Sequence, residues 1–154
     1  MNKTAIPGLI TICLIAAACQ PAGTDDSRAD VEYLNLPGTE SSGLPFSDAV
    51  RLGDTIYLSG MIGLEPGTMR VIEGGIEAEA GQIMEQMKST LERFGSSIDR
   101  VVKCTVFLAD EADRDGFNKV YMSYFDNLPA RSGVTVKGLA LGARAEVECI
   151  AAVN

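Results

Sequence analysis

Histidine is absent from all 154 residues. That absence removes an imidazole base, a Ser-His triad and histidine-ligated zinc together. Proton transfer, if there is any, falls to carboxylates, lysine, tyrosine, cysteine or bound water. Positive charge is also scarce, with 13 lysines and arginines against 21 aspartates and glutamates and a net charge of −8. The basic footprint that neutralises phosphates is missing, which argues against broad nucleic-acid binding. The one long uncharged run, Ala5 to Ala18, is too short to span a bilayer comfortably. What remains is an ordinary globular balance of 46% hydrophobic and 22% charged residues. It is enough for one modest domain whose core needs no disulfide staples.

That apolar run has a different use. Lys3 supplies a short positive start, and the run ends in small residues, as a signal peptide does. Ala16-Ala17-Ala18-Cys19 resembles a bacterial lipobox, in which the cysteine is lipidated and becomes the mature N-terminus. We therefore expect a lipoprotein-type signal over residues 1–19, with Cys19 as the lipidation site and membrane attachment through its acyl chains. Gln20 after that cysteine suits outer-membrane sorting of an exported, periplasmic lipoprotein. Plain secretion after an Ala-x-Ala cleavage, giving a soluble periplasmic protein, is the alternative. Residues 20–42 are dominated by Gly, Ser, Thr, Asp, Glu and Pro and read as a flexible tether. Within it, Val31 to Leu36 alternates and is a marginal edge-strand candidate.

The domain is expected over residues 43–154. Ser47–Leu52 and Thr55–Gly60 read as strands joined by the two-residue link Gly53-Asp54. Gly75–Phe94 has a helical stripe of Ile76, Ala80, Ile83, Met84, Met87, Leu91 and Phe94, with Gly95 as its stop. Val101–Leu108 is a strand. Asp113–Phe125 repeats the helical period through Phe117, Val120, Tyr121 and Tyr124. Ser132–Val136 and Arg144–Val153 complete the order ββαβαββ. Such an order places two amphipathic helices on one face of a single mixed sheet, an α/β (α+β) arrangement. In the last strand Arg144, Glu146 and Glu148 point one way, and Ala145, Val147, Cys149 and Ala151 the other. A face that mixes carboxylates with apolar neighbours suits an oligomer interface or a ligand pocket.

Two residues stand out chemically. Arg131, at the start of one strand, offers a planar fork that holds a carboxylate through two parallel hydrogen bonds. Glu146, on the polar face of the next, can handle protons or orient water. Each could equally be a surface residue in an ion pair.

The blocks Leu44-Pro45-Phe46-Ser47-Asp48-Ala49-Val50, Leu58-Ser59-Gly60-Met61-Ile62-Gly63, Val102-Lys103-Cys104-Thr105-Val106-Phe107-Leu108, Asn118-Lys119-Val120-Tyr121, Pro129-Ala130-Arg131-Ser132 and Glu146-Val147-Glu148-Cys149-Ile150-Ala151 follow one another without large insertions. In that order they resemble the RidA (YjgF, L-PSP) family of reactive-intermediate enamine/imine deaminases, over about residues 43–153. The resemblance implies a chorismate-mutase-like fold assembled as a homotrimer, with sheets facing inward in a barrel-like arrangement and clefts between subunits. It also implies hydrolysis of 2-enamino and 2-imino acids to 2-oxo acids and ammonia, with neither cofactor nor metal. By position, Arg131 would clamp the substrate carboxylate and Glu146 would activate the attacking water or manage the proton at nitrogen. Ser59 and the Gly60 backbone would line the pocket and Phe46 would cover it, with Gly133 beside the arginine as a further substrate-binding position.

Three positions depart from the family pattern. Phe46 stands where tyrosine is common, Met61 replaces a common glutamine, and Gly133 stands where cysteine is frequent. The carboxylate-binding half of the site is retained and the polar half is thinner. A non-catalytic trimer that binds small carboxylates, or a holdase-type stress protein of the cell envelope, is therefore the alternative function. RNA cleavage, also ascribed to the family, fits poorly with the negative charge and with export. Ser59 could instead serve only to satisfy backbone groups at a strand end, and Phe46 could be core packing. Cys104 and Cys149 sit mid-strand, where buried free thiols are the default expectation. A disulfide requires their strands to be neighbours in register.

Overall fold

The computed structural model describes residues 29–39 and 43–154. The expected export signal, Cys19 and most of the expected tether lie outside the described residues. Where the chain alternates between apolar and polar residues it forms strands, and where its apolar residues fall at helical spacing it forms helices.

The first described element is the strand expected to be marginal, Val31–Leu34 (β1), paired antiparallel along Ala49–Leu52 (β2). β2 turns into Thr55–Leu58 (β3) through Gly53-Asp54, and Leu52 pairs with Thr55 across the loop. Gly53 takes a φ of 57°, a left-handed conformation that a two-residue hairpin loop needs and glycine adopts without steric penalty. A two-residue strand, Met61–Ile62 (β4), follows the break at Ser59-Gly60.

Ile76–Arg93 forms the long helix α1, and Arg114–Met122 forms the shorter α2. A 3-10 turn at Glu111–Asp113 leads into α2, so the element expected from Asp113 to Phe125 is tighter at its start and shorter at its end. The remaining strands are Val101–Leu108 (β5), Ala130–Thr135 (β6) and Ala145–Ala152 (β7). All strands belong to one sheet ordered β1-β2-β3-β7-β5-β6, with β4 also pairing to β7. β5 and β6 run parallel and the other pairs antiparallel, so the sheet is mixed.

One face of this sheet carries the core. Ile56, Val106, Leu108, Ala145, Val147 and Ala151 pack against Ala80, Ile83, Met84, Met87 and Leu91 of α1 and Phe117 and Tyr121 of α2. Each large aliphatic side chain so buried contributes roughly 1.5–3 kcal/mol. The alternation expected for the last strand is realised: Ala145, Val147, Cys149 and Ala151 are buried, whereas Glu146, Glu148 and Ile150 face the other way. Arg144 departs from that pattern. It precedes β7, and its guanidinium binds Asp113, buried at the start of α2.

The default expectation of free thiols is corrected. Cys104 and Cys149 are both buried, but they form a disulfide with Cα atoms 4.1 Å apart. The cause is register: β5 and β7 are neighbours, and the two cysteines lie directly opposite on the core face.

The other sheet face carries no helix. Tyr33, Val50, Tyr57 and Ile150 form one cross-strand row on it, and Ile62, Glu146, Phe107 and Val134 form another. Tyr33, Tyr57 and Val134 are exposed.

Candidate active site

The break between β3 and β4 shapes the site. The Ser59 amide donates to the Asp48 carbonyl at 3.0 Å, and its hydroxyl donates to the Ser47 carbonyl at 2.6 Å. The strand-end role weighed for Ser59 is therefore realised, and the residue lines a cleft as well. Asp48 in turn accepts from the Leu36 amide at 2.6 Å and from the Thr39 hydroxyl. These bonds fix Leu36 and Thr39, which line the same cleft as Phe46.

The cleft has a volume of about 1050 Å³ and is lined by Phe46, Ser59, Gly60 and Glu146 among others. Phe46 is exposed at its edge, so it is not core packing. Met61, Leu64, Met69 and Leu141 make much of the wall apolar, and Gln82, Glu85, Gln86 and Ser89 of α1 supply a polar side. The Tyr124 hydroxyl donates to Glu85 at 2.8 Å and is pushed up to about 12 by burial and then by that carboxylate.

Glu146 reaches this cleft because position 60 has no side chain. A β-carbon on Gly60 would lie 2.9 Å from the Glu146 carboxyl carbon and closer still to one of its oxygens. The carboxylate thus lies directly over the Gly60 backbone. Among the described residues, no hydrogen bond or ion pair occupies it. Two residues upstream, β7 is anchored firmly. Arg144 gives Asp113 two bonds, at 3.0 and 2.6 Å, and its amide donates to the buried Glu79 carboxylate at 2.7 Å. Its ionisation is pushed up, first by the hydrogen bond to Asp113.

Arg131 and Gly133 lie elsewhere. Residues paired across a sheet share a face. Arg131 pairs with Cys104, which pairs with Cys149 on the core face, and Gly133 pairs with Val106 on the same face. Glu146 pairs with Phe107 on the opposite face. Within one chain the structure brings together Phe46, Ser59, Gly60 and Glu146, and separates them from Arg131 and Gly133. Arg131 is exposed on the edge strand β6, with its guanidinium carbon 4.8 Å from the centre of the Tyr121 ring. None of its donors meets an acceptor among the described residues. A β-carbon on Gly133 would stand 3.4 Å from the Arg114 guanidinium, in ordinary contact.

Sequence reasoning placed Tyr121 on the apolar period of a helix and missed that its ring lies under Arg131. It also missed Asp113 and Glu79, which anchor the strand bearing Glu146. Helical spacing signalled that Tyr121 and Glu79 lie on helices, but nothing in the spacing signalled their partners.

Comparison with known proteins agrees with this architecture. Residues 40–153 match the family described as Endoribonuclease L-PSP. The mouse protein named 2-iminobutanoate/2-iminopropanoate deaminase is 41% identical over 108 residues, covering 70% of this chain and 80% of that protein. The yeast protein HMF1 is 44% identical over 108 residues, covering 70% of this chain and 83% of its own. Among solved structures, RidA from an Antarctic Psychrobacter is 32% identical with a TM-score of 0.69, covering 82% of this chain and 98% of that one. A Yersinia pestis structure described as YyfA, of the conserved Rid protein family, gives a TM-score of 0.74 at 31% identity, covering 80% and 100%. The single mixed sheet with two helices is the fold of these structures. The chain belongs to the RidA (YjgF, L-PSP) family.

Proposed function

We propose that this protein hydrolyses 2-enamino and 2-imino acids to 2-oxo acids and ammonia, in clefts completed by a second copy of the chain. The observation that carries this reading is the pair of uncommitted charges, Glu146 in the cleft and Arg131 on the opposite face at the sheet edge. Neither has a hydrogen-bond or ion-pair partner among the described residues, and the two lie on opposite faces of the sheet. The name of the mouse relative supplies the reaction class. The helix-free sheet face, with Tyr57, Ile150 and Val134 on it, supports assembly through that face into a homotrimer.

In such a cleft the Arg131 guanidinium of one copy takes the substrate carboxylate in a bidentate pair. This fixes the imine carbon over Glu146 of the next copy. Glu146 accepts a proton from water as the oxygen adds to the imine carbon, and the nitrogen takes up a proton to give a carbinolamine. Collapse of that adduct forms the 2-oxo acid and expels ammonia. Imines already hydrolyse in water, so orientation and charge placement supply the modest acceleration required. Ser59 and Gly60 form the cleft wall, and Phe46 closes its edge. The test follows 2-iminopropionate, made in situ by an amino-acid oxidase, with wild-type protein and with Arg131→Ala. Faster imine loss that requires Arg131 supports the reading, and no acceleration by folded wild-type protein refutes it for this substrate.

Phe46 favours a second reading, since an apolar ring at the cleft edge offers substrate no hydroxyl. In that reading the clefts bind small carboxylates without turning them over, and binding of pyruvate in the absence of imine turnover distinguishes it. Export and acylation at Cys19 are proposed on the amino-acid sequence of residues 1–19 alone. Incorporation of labelled palmitate that is lost in Cys19→Ala tests them.

A further inference from the structure

We infer that Tyr121 is the positioning residue of the carboxylate clamp, its ring face holding the plane of the Arg131 guanidinium before substrate arrives. The inference rests on the reading of Arg131 as that clamp. An arginine on an exposed edge strand ordinarily samples many rotamers, and a ligand that captures it must first restrict them. Here no carboxylate or carbonyl among the described residues holds the guanidinium. The contact that does hold it is the Tyr121 ring, with the guanidinium carbon 4.8 Å from its centre. That is inside the range of about 6 Å over which a cation is attracted to an aromatic face. A guanidinium held over a ring face through its carbon keeps its N–H donors free for a ligand, since no acceptor among the described residues takes them.

The ring itself is buried among aromatic neighbours. Tyr121 is 2% exposed and stacks on Phe117 at 5.7 Å, while Phe125 packs against it at 4.9 Å. Residues 117 and 121 lie four apart on α2, a spacing that aligns side chains on one helix side, and Phe125 returns to the ring from just beyond the helix end. The Tyr121 hydroxyl is buried and has no hydrogen-bond partner, so packing alone would be served as well by phenylalanine. The disulfide contributes a floor, because Cys104 is the residue of β5 opposite Arg131. A rigid aromatic pedestal thus stands beneath the one cation that the sheet edge presents without a partner among the described residues.

Two variants separate ring from hydroxyl. Tyr121→Phe keeps the ring and removes the orphaned hydroxyl; Tyr121→Leu keeps apolar volume and removes the ring. A clamp acts on ground state and transition state alike, so loss of its support raises KM and leaves kcat near wild type. We expect KM for 2-iminopropionate to rise about three- to tenfold in Tyr121→Leu and to stay within about twofold in Tyr121→Phe. An independent readout is the NMR resonance of the Arg131 Nε–H, which the ring current shifts upfield in wild type and Tyr121→Phe. In Tyr121→Leu it should return to the position of an exposed arginine. An unshifted Arg131 resonance in wild-type protein overturns the inference even if Tyr121→Leu fails to fold. So does a folded Tyr121→Leu whose KM is unchanged while Arg131→Ala abolishes turnover. Unchanged turnover in Arg131→Ala refutes the clamp reading itself, and the inference with it.

Discussion

Replacing Gly60 by alanine probes the cleft where its geometry is tightest. The added β-carbon would meet the Glu146 side chain at 2.9 Å from its carboxyl carbon and 3.2 Å from Cγ, so the carboxylate must swing aside. Gly60 does not have a positive φ, so its backbone accepts alanine without strain. The substitution even restricts the unfolded chain, a gain of about 0.4–1 kcal/mol. Against that, pushing Glu146 off its rotamer costs about 0.5–1.5 kcal/mol. The two nearly cancel, and melting should shift by only a few degrees, on the order of 4 °C per kcal/mol. Activity should respond differently, because displacing a reacting group by about 1 Å lowers turnover roughly 10²-fold. The assay is kcat/KM for 2-iminopropionate beside a melting curve, with Glu146→Gln as reference. Gly60→Ala/Glu146→Gln should be no worse than Glu146→Gln alone, since both substitutions act through one carboxylate. A folded Gly60→Ala with activity within about twofold of wild type would refute the placement of Glu146 in the chemistry.

Three further outcomes follow from the fold. The Cys104–Cys149 disulfide closes a loop of 45 residues, for which the chain-entropy account gives about 4 kcal/mol. Cys104→Ala should cost about 2–4 kcal/mol, and alkylation of denatured, unreduced protein should find neither thiol free. Asp113→Asn removes the buried partner of the half-exposed Arg144 and should destabilise by about 1–3 kcal/mol in urea unfolding, whereas Asp115→Asn on the same helix should change little. Tyr124 should ionise near 12, above the range of about 10 for unfolded tyrosine. The unfolded chain then loses its proton first, so this contribution to stability is full below about pH 10 and declines toward pH 12. Absorbance titration at alkaline pH should show this late step in wild type and lose it in Tyr124→Phe.

The fold was largely legible because its strongest signals are local. β5 runs over the residues that its β-branched alternation marks, and α1 follows the apolar stripe to within a residue at each end. β4 escaped notice because two residues are too few to show a period. The disulfide could not be foreseen, since it depends on which strand lies beside β5 and in what register. The same gap hid the main fact about the site. Arg131 and Glu146 sit on consecutive strands in the chain, which invites placing them side by side. In the sheet, β7 lies between β3 and β5, and β6 lies beyond β5. That order, together with the opposite facing of residues 131 and 146, puts them on different faces. Residue types marked the chemistry, but strand order and register decided where it can occur.

The central claim is that each site takes its guanidinium from one copy and its carboxylate from another. Co-expressing Arg131→Ala with Glu146→Gln tests it directly, each variant being inactive alone. With random assembly of equal amounts, about one quarter of the clefts pair an intact arginine with an intact glutamate. The account predicts imine hydrolysis restored to about that fraction of wild type. Mixed assemblies no more active than either parent would contradict it.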